Sequence, residues 1–188
     1  QGYKLKMFDE REIGIGLKKG QKFKVNCPTS YLSTIEFENN SIIQITLSFD
    51  VAAHQRNHIE IYGTKGTAIV PDPNMFGGSC NIFTSSDGKW NEHKSNEMLL
   101  GKINIKNQSS RVNETSTNAN YRGAGLSEMA FSIEKKKLHK CNGELSLHVL
   151  DIIESTMRAA SLGKPQEIKT SCNKPTAFTE EEIKKILF

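Results

Sequence analysis

The most constraining stretch of the chain lies between Tyr31 and Phe49, where side-chain character alternates with a period of two. Tyr31, Ser33, Ile35 and Phe37 alternate with Leu32, Thr34, Glu36 and Glu38. Asn39-Asn40 follows, a pair that tolerates the positive φ angles of a tight turn. Ile43, Ile45, Leu47 and Phe49 then alternate with Gln44, Thr46 and Ser48. Successive residues of a strand point to opposite faces, so the pattern predicts an antiparallel hairpin whose return strand is half-buried, apolar on one face and polar on the other.

The same reasoning extends the sheet. Short strands are predicted at 58–62 and 67–70, joined by Gly63-Thr64-Lys65-Gly66, and again at 80–84 and 89–93 around Ser85-Ser86-Asp87-Gly88. Pro71 and Pro73 halt the ladder, because proline donates no hydrogen bond to it. The first thirty residues are polar and lysine-rich and show no clean periodicity. Residues 95–120, rich in Asn, Ser, Thr and Lys, read as a long loop.

Helices are predicted late. Leu126, Met129, Ala130 and Ile133 fall at i, i+3, i+4 and i+7 and form one apolar stripe. A longer helix covers 144–162, with Leu145, Val149, Ile152, Ile153, Thr156 and Ala160 on one face and a Glu154–Arg158 pair at i,i+4. Gly163 is placed to end it and Pro165 to prevent its continuation. A last strand at 167–169 precedes Thr179-Glu180-Glu181-Glu182, which has capping-box spacing for a terminal helix. Strands followed by helices point to an α+β fold, an open, mostly antiparallel sheet with helices packed on one face. At 188 residues, one domain over 1–188 is expected.

Composition narrows the function classes. With 36% hydrophobic and 24% charged residues the chain reads as soluble and globular, and it holds no apolar run long enough to span a bilayer. The net charge of +4 is modest. The densest basic run, Lys135-Lys136-Lys137-Leu138-His139-Lys140, reads as a solvated helix end, so neither nucleic acid nor membrane is expected as a partner. Cys27, Cys80, Cys141 and Cys172 lie far apart without a Cys-x-x-Cys pair, which argues against a zinc site. The start Gln1-Gly2-Tyr3-Lys4 lacks a signal-peptide core and an initiating Met, which is expected of a processed or excised chain with free thiols in the cytoplasm.

Few clusters suggest chemistry. Gly14-Ile15-Gly16-Leu17-Lys18-Lys19-Gly20 approximates a dinucleotide fingerprint, but it has one residue too many and lacks the flanking strand and helix that such a site needs. Arg122-Gly123-Ala124-Gly125 does precede a helix. Its backbone amides with the Arg122 guanidinium could hold a polyol or anionic oxygen, or Arg122 could pair with a surface carboxylate. His54 and His58, four apart, would share a face if they stood on one strand, but they lack a third metal ligand. His148 reads as a packed helix histidine with Asp151 one turn along to hold its ring. No nucleophile elbow, Walker loop or His-Glu-x-x-His pattern occurs.

Three segments carry a family resemblance: Ile59-Glu60-Ile61-Tyr62-Gly63-Thr64-Lys65-Gly66-Thr67 with Val70-Pro71-Asp72-Pro73-Asn74-Met75-Phe76-Gly77-Gly78, Tyr121-Arg122-Gly123-Ala124-Gly125-Leu126-Ser127-Glu128-Met129-Ala130, and Cys141-Asn142-Gly143-Glu144-Leu145-Ser146-Leu147-His148-Val149-Leu150-Asp151 running on to Ser161-Leu162-Gly163-Lys164. Together, over about 19–168, they resemble the C-terminal domain of the Gfo/Idh/MocA oxidoreductases, which include glucose–fructose oxidoreductase and inositol dehydrogenase. The resemblance implies a missing N-terminal Rossmann domain that holds NAD or NADP. It also implies hydride transfer at a secondary alcohol of a small sugar or cyclitol, and a homo-oligomer formed through the sheet. The family's Glu-Lys-Pro motif does not occur, and the chain begins after the place of its Asp/His pair. No catalytic, cofactor-binding or metal residue is therefore expected here. The candidate substrate residues are Tyr121, Arg122, Gly123, Gly125 and His54. Ser127-Glu128 departs from the Asp that many relatives carry before Met-Ala. A stand-alone dimerisation or carbohydrate-binding protein without enzymatic activity is the competing expectation.

Overall fold

In the computed structural model, residues 2–74, 76–102, 104 and 119–187 are described. Among the described residues, nine strands, β1 (Gly2–Leu5), β2 (Glu10–Glu12), β3 (Lys22–Lys24), β4 (Ser30–Glu36), β5 (Ile42–Ser48), β6 (Ile59–Gly63), β7 (Gly66–Val70), β8 (Ser79–Thr84) and β9 (Lys89–Lys94), precede three α-helices, α1 (Ala124–Glu134), α2 (Gly143–Leu162) and α3 (Glu180–Leu187). Every strand pairing named among the described residues is antiparallel. The fold is α+β with open sheets, and the polar first thirty residues, where periodicity gave no signal, contribute three short strands. Of the expected 95–120 loop, the described part includes two 3-10 turns, Ser95–Glu97 and Leu99–Gly101, and the remainder falls largely outside the described residues.

The chain divides into two compact units. The first comprises the residues up to His54 together with Asn142–Lys174. Its three-stranded sheet has the order β1-β4-β5, and β2 and β3 form a separate ribbon. Asn40 takes φ 63°, and the Asn39 carboxamide accepts the Ser41 amide at 3.0 Å, so the Asn-Asn turn closes the hairpin as its sequence predicts. Helix α2 packs against β1 on the face that carries Ser33 and Ile45. It turns Ser155 and Ala159 inward, with Leu145, Ile152, Thr156 and Ala160 half-buried. Val149 and Ile153, expected on that same face, stand exposed with Leu147 and Leu150. The apolar row of β5 also departs from expectation: Ile45 alone is half-buried, while Ile43, Leu47 (61% exposed) and Phe49 stand bare at the sheet margin.

The second unit comprises Gln55–Cys141 with the chain from Pro175 onward. Its sheet runs in simple meander order β6-β7-β8-β9. A Cβ at Gly66 would stand 2.1 Å from the Phe83 carbonyl oxygen, so the β7–β8 approach requires glycine there. Helix α3 begins with the predicted capping box: the Glu182 amide donates to Thr179 Oγ1 at 3.2 Å, and the Thr179 amide donates to the Glu182 carboxylate at 2.9 Å.

Helix α1 departs from its prediction, for of the expected stripe Met129 alone is half-buried. It buries Ala124, Glu128 and Ser132 and leaves Leu126 (73%) and Ile133 (65%) exposed. The reason is the loop after it. Glu128 accepts the Ser132 hydroxyl at 2.9 Å and the Lys140 amide at 3.2 Å, which draws the polar stripe inward. The basic run that follows is not uniform. Lys135, Lys136 and Lys137 are exposed, whereas Lys140 lies 4.8 Å over the Phe178 ring and 3.7 Å from Glu182. The predicted strand at 167–169 does not form, because the Lys169 and Thr170 amides donate to Asp151 instead. Among the described residues no helix is long and apolar enough to cross a membrane.

Candidate functional site

The glycine-containing turn at 121–125 is built from the side chains that immobilise it. Tyr121 donates its hydroxyl to the Lys102 carbonyl at 2.9 Å, and its ring meets Phe76 edge-on at 5.7 Å. Asn104 holds the preceding residue at both ends: its amide donates to the Asn120 carbonyl at 2.8 Å, and its carbonyl accepts the Asn120 amide at 2.7 Å. The Asn120 side chain in turn accepts the Arg122 amide at 3.2 Å. Helix α1 starts from Gly123 without a side-chain cap. A Cβ on Gly123 or Gly125 would meet nothing within 4 Å, so the two glycines leave open space in front of the first turn.

Arg122 is exposed and reaches Asn74, donating to its carbonyl at 2.9 Å and to its carboxamide at 3.4 Å. Both of these acceptors belong to Asn74, one a side-chain amide oxygen and the other a backbone carbonyl. Asn74 is itself fixed by an Asx turn, its amide donating to Asp72 at 2.9 Å. Asn74 and Asn104 were not singled out by sequence reasoning, although Asp72-Pro73-Asn74 carries the Asx-turn signal.

The turn therefore unites Tyr121, Arg122, Gly123 and Gly125, while His54 belongs to the first unit. His54 and His58 do not share a strand: β6 begins at Ile59, and His58 Nε2 stands 3.8 Å from Asp72. No group of three or more His, Cys, Asp or Glu residues is placed to hold a metal among the described residues. All four cysteines are free. The 14–20 glycine run closes the β2–β3 ribbon, with the Gly20 amide donating to the Ile13 carbonyl and with positive φ at Gly16 and Gly20. A hairpin loop offers no helix N-terminus, so this run does not fit a dinucleotide pyrophosphate.

Two further polar clusters stand in the first unit. Asp151 does not touch His148 directly. Instead Thr170 Oγ1 donates to Asp151 Oδ2 at 3.0 Å and lies 3.0 Å from His148 Nδ1. Burial alone would raise the Asp151 carboxyl, but hydrogen bonds from the Lys169 and Thr170 amides and from the Thr170 and Ser155 hydroxyls hold it below its ordinary value. Arg158 joins this carboxylate, 3.7 Å from Oδ1, in place of the expected Glu154 pairing. Asp50, its side chain shut off from solvent, accepts the Ser30 and Thr29 hydroxyls at 2.6 Å, bonds that lower its carboxyl, with Arg11 3.7 Å away. The Asp151 cluster fastens the backbone at 169–170, and the Asp50 cluster ties side chains at the ends of β4 and β5.

Comparison of the chain with protein-family models, with curated proteins and with solved structures finds no match.

Proposed function

We propose that the chain is the C-terminal, substrate-wall and assembly domain of an NAD(P)-dependent oxidoreductase acting on a secondary alcohol of a sugar or cyclitol, and that it is not catalytic alone. The observation that carries this reading is the 121–125 turn. Five hydrogen bonds and a ring contact, from Lys102, Asn104, Asn120, Asn74 and Phe76, fix a turn whose outer side is an exposed guanidinium beside two glycines with open space. Such rigidity is unneeded for a surface loop and useful for orienting hydroxyls. Hydride chemistry would be supplied by NAD or NADP on a Rossmann domain, with the residues of this chain confined to binding and orienting the polyol.

Assembly through the sheet is supported by apolar side chains left exposed on the face of the first unit's sheet opposite Ser33 and Ile45, among them Tyr3, Leu5, Leu32 and Ile42. That surface equally favours the second reading, a stand-alone sheet-mediated dimer without enzymatic activity. Two measurements separate them. Titration of NAD(H) and NADP(H) into the 188-residue chain should give no heat, and saturable binding would overturn the division of labour. In a protein that carries both halves, Arg122→Ala should raise KM for the sugar about tenfold or more, as expected on losing a charged hydrogen-bond donor, with kcat less affected. Unchanged sugar kinetics would remove Arg122 from the site.

A further inference from the structure

The sheet of the second unit carries a line of side chains that the oxidoreductase reading does not use. Its register sets Tyr62 opposite Thr67, Thr67 opposite Phe83, and Phe83 opposite Trp90. Directly opposed residues project from the same face, so the line crosses all four strands as aromatic, small, aromatic, aromatic. Tyr62 is 73% exposed and Trp90 51%. The Phe83 and Trp90 rings lie 5.7 Å apart and tilted by 57°, which makes a step, and Thr67 leaves a low saddle between that step and Tyr62. By the same alternation the neighbours on this face include Glu60, Ile69, Asn81 and Glu92, with one aliphatic side chain among them.

Charge and area decide what such a face suits. Glu92 is matched by Lys94 at 3.8 Å. Glu60 accepts the Tyr62 hydroxyl and the Asn57 amide, with Arg56 acting on it electrostatically. The row is thus charge-balanced. Single-stranded nucleic acid also stacks on aromatics, but it requires a cationic groove that this face lacks. Four strands of five or six residues present about 350 Å² at ordinary strand spacing and rise. A stable protein partner needs about 800 Å² per side. The occupant that matches is small, uncharged and two-faced, with an apolar side for the rings and hydroxyls for Glu60 and Asn81.

We propose that the Tyr62–Thr67–Phe83–Trp90 row binds a short, uncharged, extended oligosaccharide, its pyranose faces stacked on Tyr62 and on the Phe83–Trp90 step. Three strand spacings, about 14 Å, separate the ends of the row, which exceeds one sugar ring and calls for an oligosaccharide. The site is non-catalytic and stands whether or not the chain serves an oxidoreductase.

Trp90 is the only tryptophan of the chain, so its fluorescence reports this face directly. Cellotetraose titrated into the 188-residue chain at low and high salt should shift Trp90 emission saturably and without salt dependence. Tyr62→Ala should weaken binding about tenfold, the loss of one stacked ring. Trp90→Leu, followed by calorimetry and checked for folding by circular dichroism, should weaken it at least as much. An unchanged spectrum up to millimolar sugar would overturn the proposal. So would binding that survives both substitutions at full strength, or binding that fades with salt. Cofactor titration reads the oxidoreductase proposal separately, so the two can fail independently.

Discussion

Helices α1 and α2 are specified in opposite ways. Helix α2 is written into its ends: the Asn142 side chain accepts the Leu145 amide at 3.0 Å, and Gly163 closes the C-terminus at φ 66° with its amide on Ala159. Helix α1 has no side-chain cap at its start and is seated by one buried carboxylate in its middle, Glu128. End signals are local, so they survive whatever the rest of the chain does. A buried carboxylate is a tertiary device, and it overrides the apolar periodicity that would otherwise choose the inner face. The ends of α2 are thus set by its neighbours in sequence, whereas α1 is seated by a loop twelve residues further on.

Substitutions should sharpen that contrast. Glu128→Ala should have the largest effect, about 2–3 kcal/mol in chemical denaturation, because it strips a charged acceptor from the Lys140 amide. A loss below that of the Asn142 cap would remove the tertiary explanation for α1. Asn142→Ala should cost about 1 kcal/mol, with the loss confined to α2 when helicity is followed by amide exchange.

Acid should come next. The Asp151 carboxyl is depressed from 3.8 in the folded chain, so its contribution is complete above that value and disappears as pH falls through the lower folded value. Wild type should therefore lose stability below about pH 4, and Asp151→Asn should show a shallower acid slope there. Equal slopes would show that the Lys169 and Thr170 amides do not depend on the charge. Gly123→Ala should have the smallest effect, within about 0.5 kcal/mol, since φ is −75° and the space around it is empty.

What the sequence disclosed follows the same division. The Asn39-Asn40 turn, the Thr179–Glu182 box, Gly163 and the strands around 59–70 and 80–93 were legible, because each rests on contacts a few residues apart. The inner faces of the helices were not. Leu126 and Ile133 look like core and stand outside, while Ser155 and Ser132 look like surface and stand inside. The strand expected at 167–169 failed for a related reason: Asp151, eighteen residues away, takes its amide hydrogens. At the candidate site, Tyr121, Arg122 and the glycines were visible as a helix entry. The asparagines that hold them at 74 and 104 lie far away in sequence and give no periodic signal.

The partition of the chain has a consequence for how it can be cut. The backbone passes between the units at three places, after His54, after Cys141 and after Lys174. Neither unit is a continuous segment, so trimming from either terminus cannot release one of them whole. A single nick at any crossing leaves two covalent tethers, and separating the units takes three. Insertions at a crossing lengthen one tether of three, which makes 54–55, 141–142 and 174–175 the natural places to splice in a tag or a foreign segment while both halves stay joined.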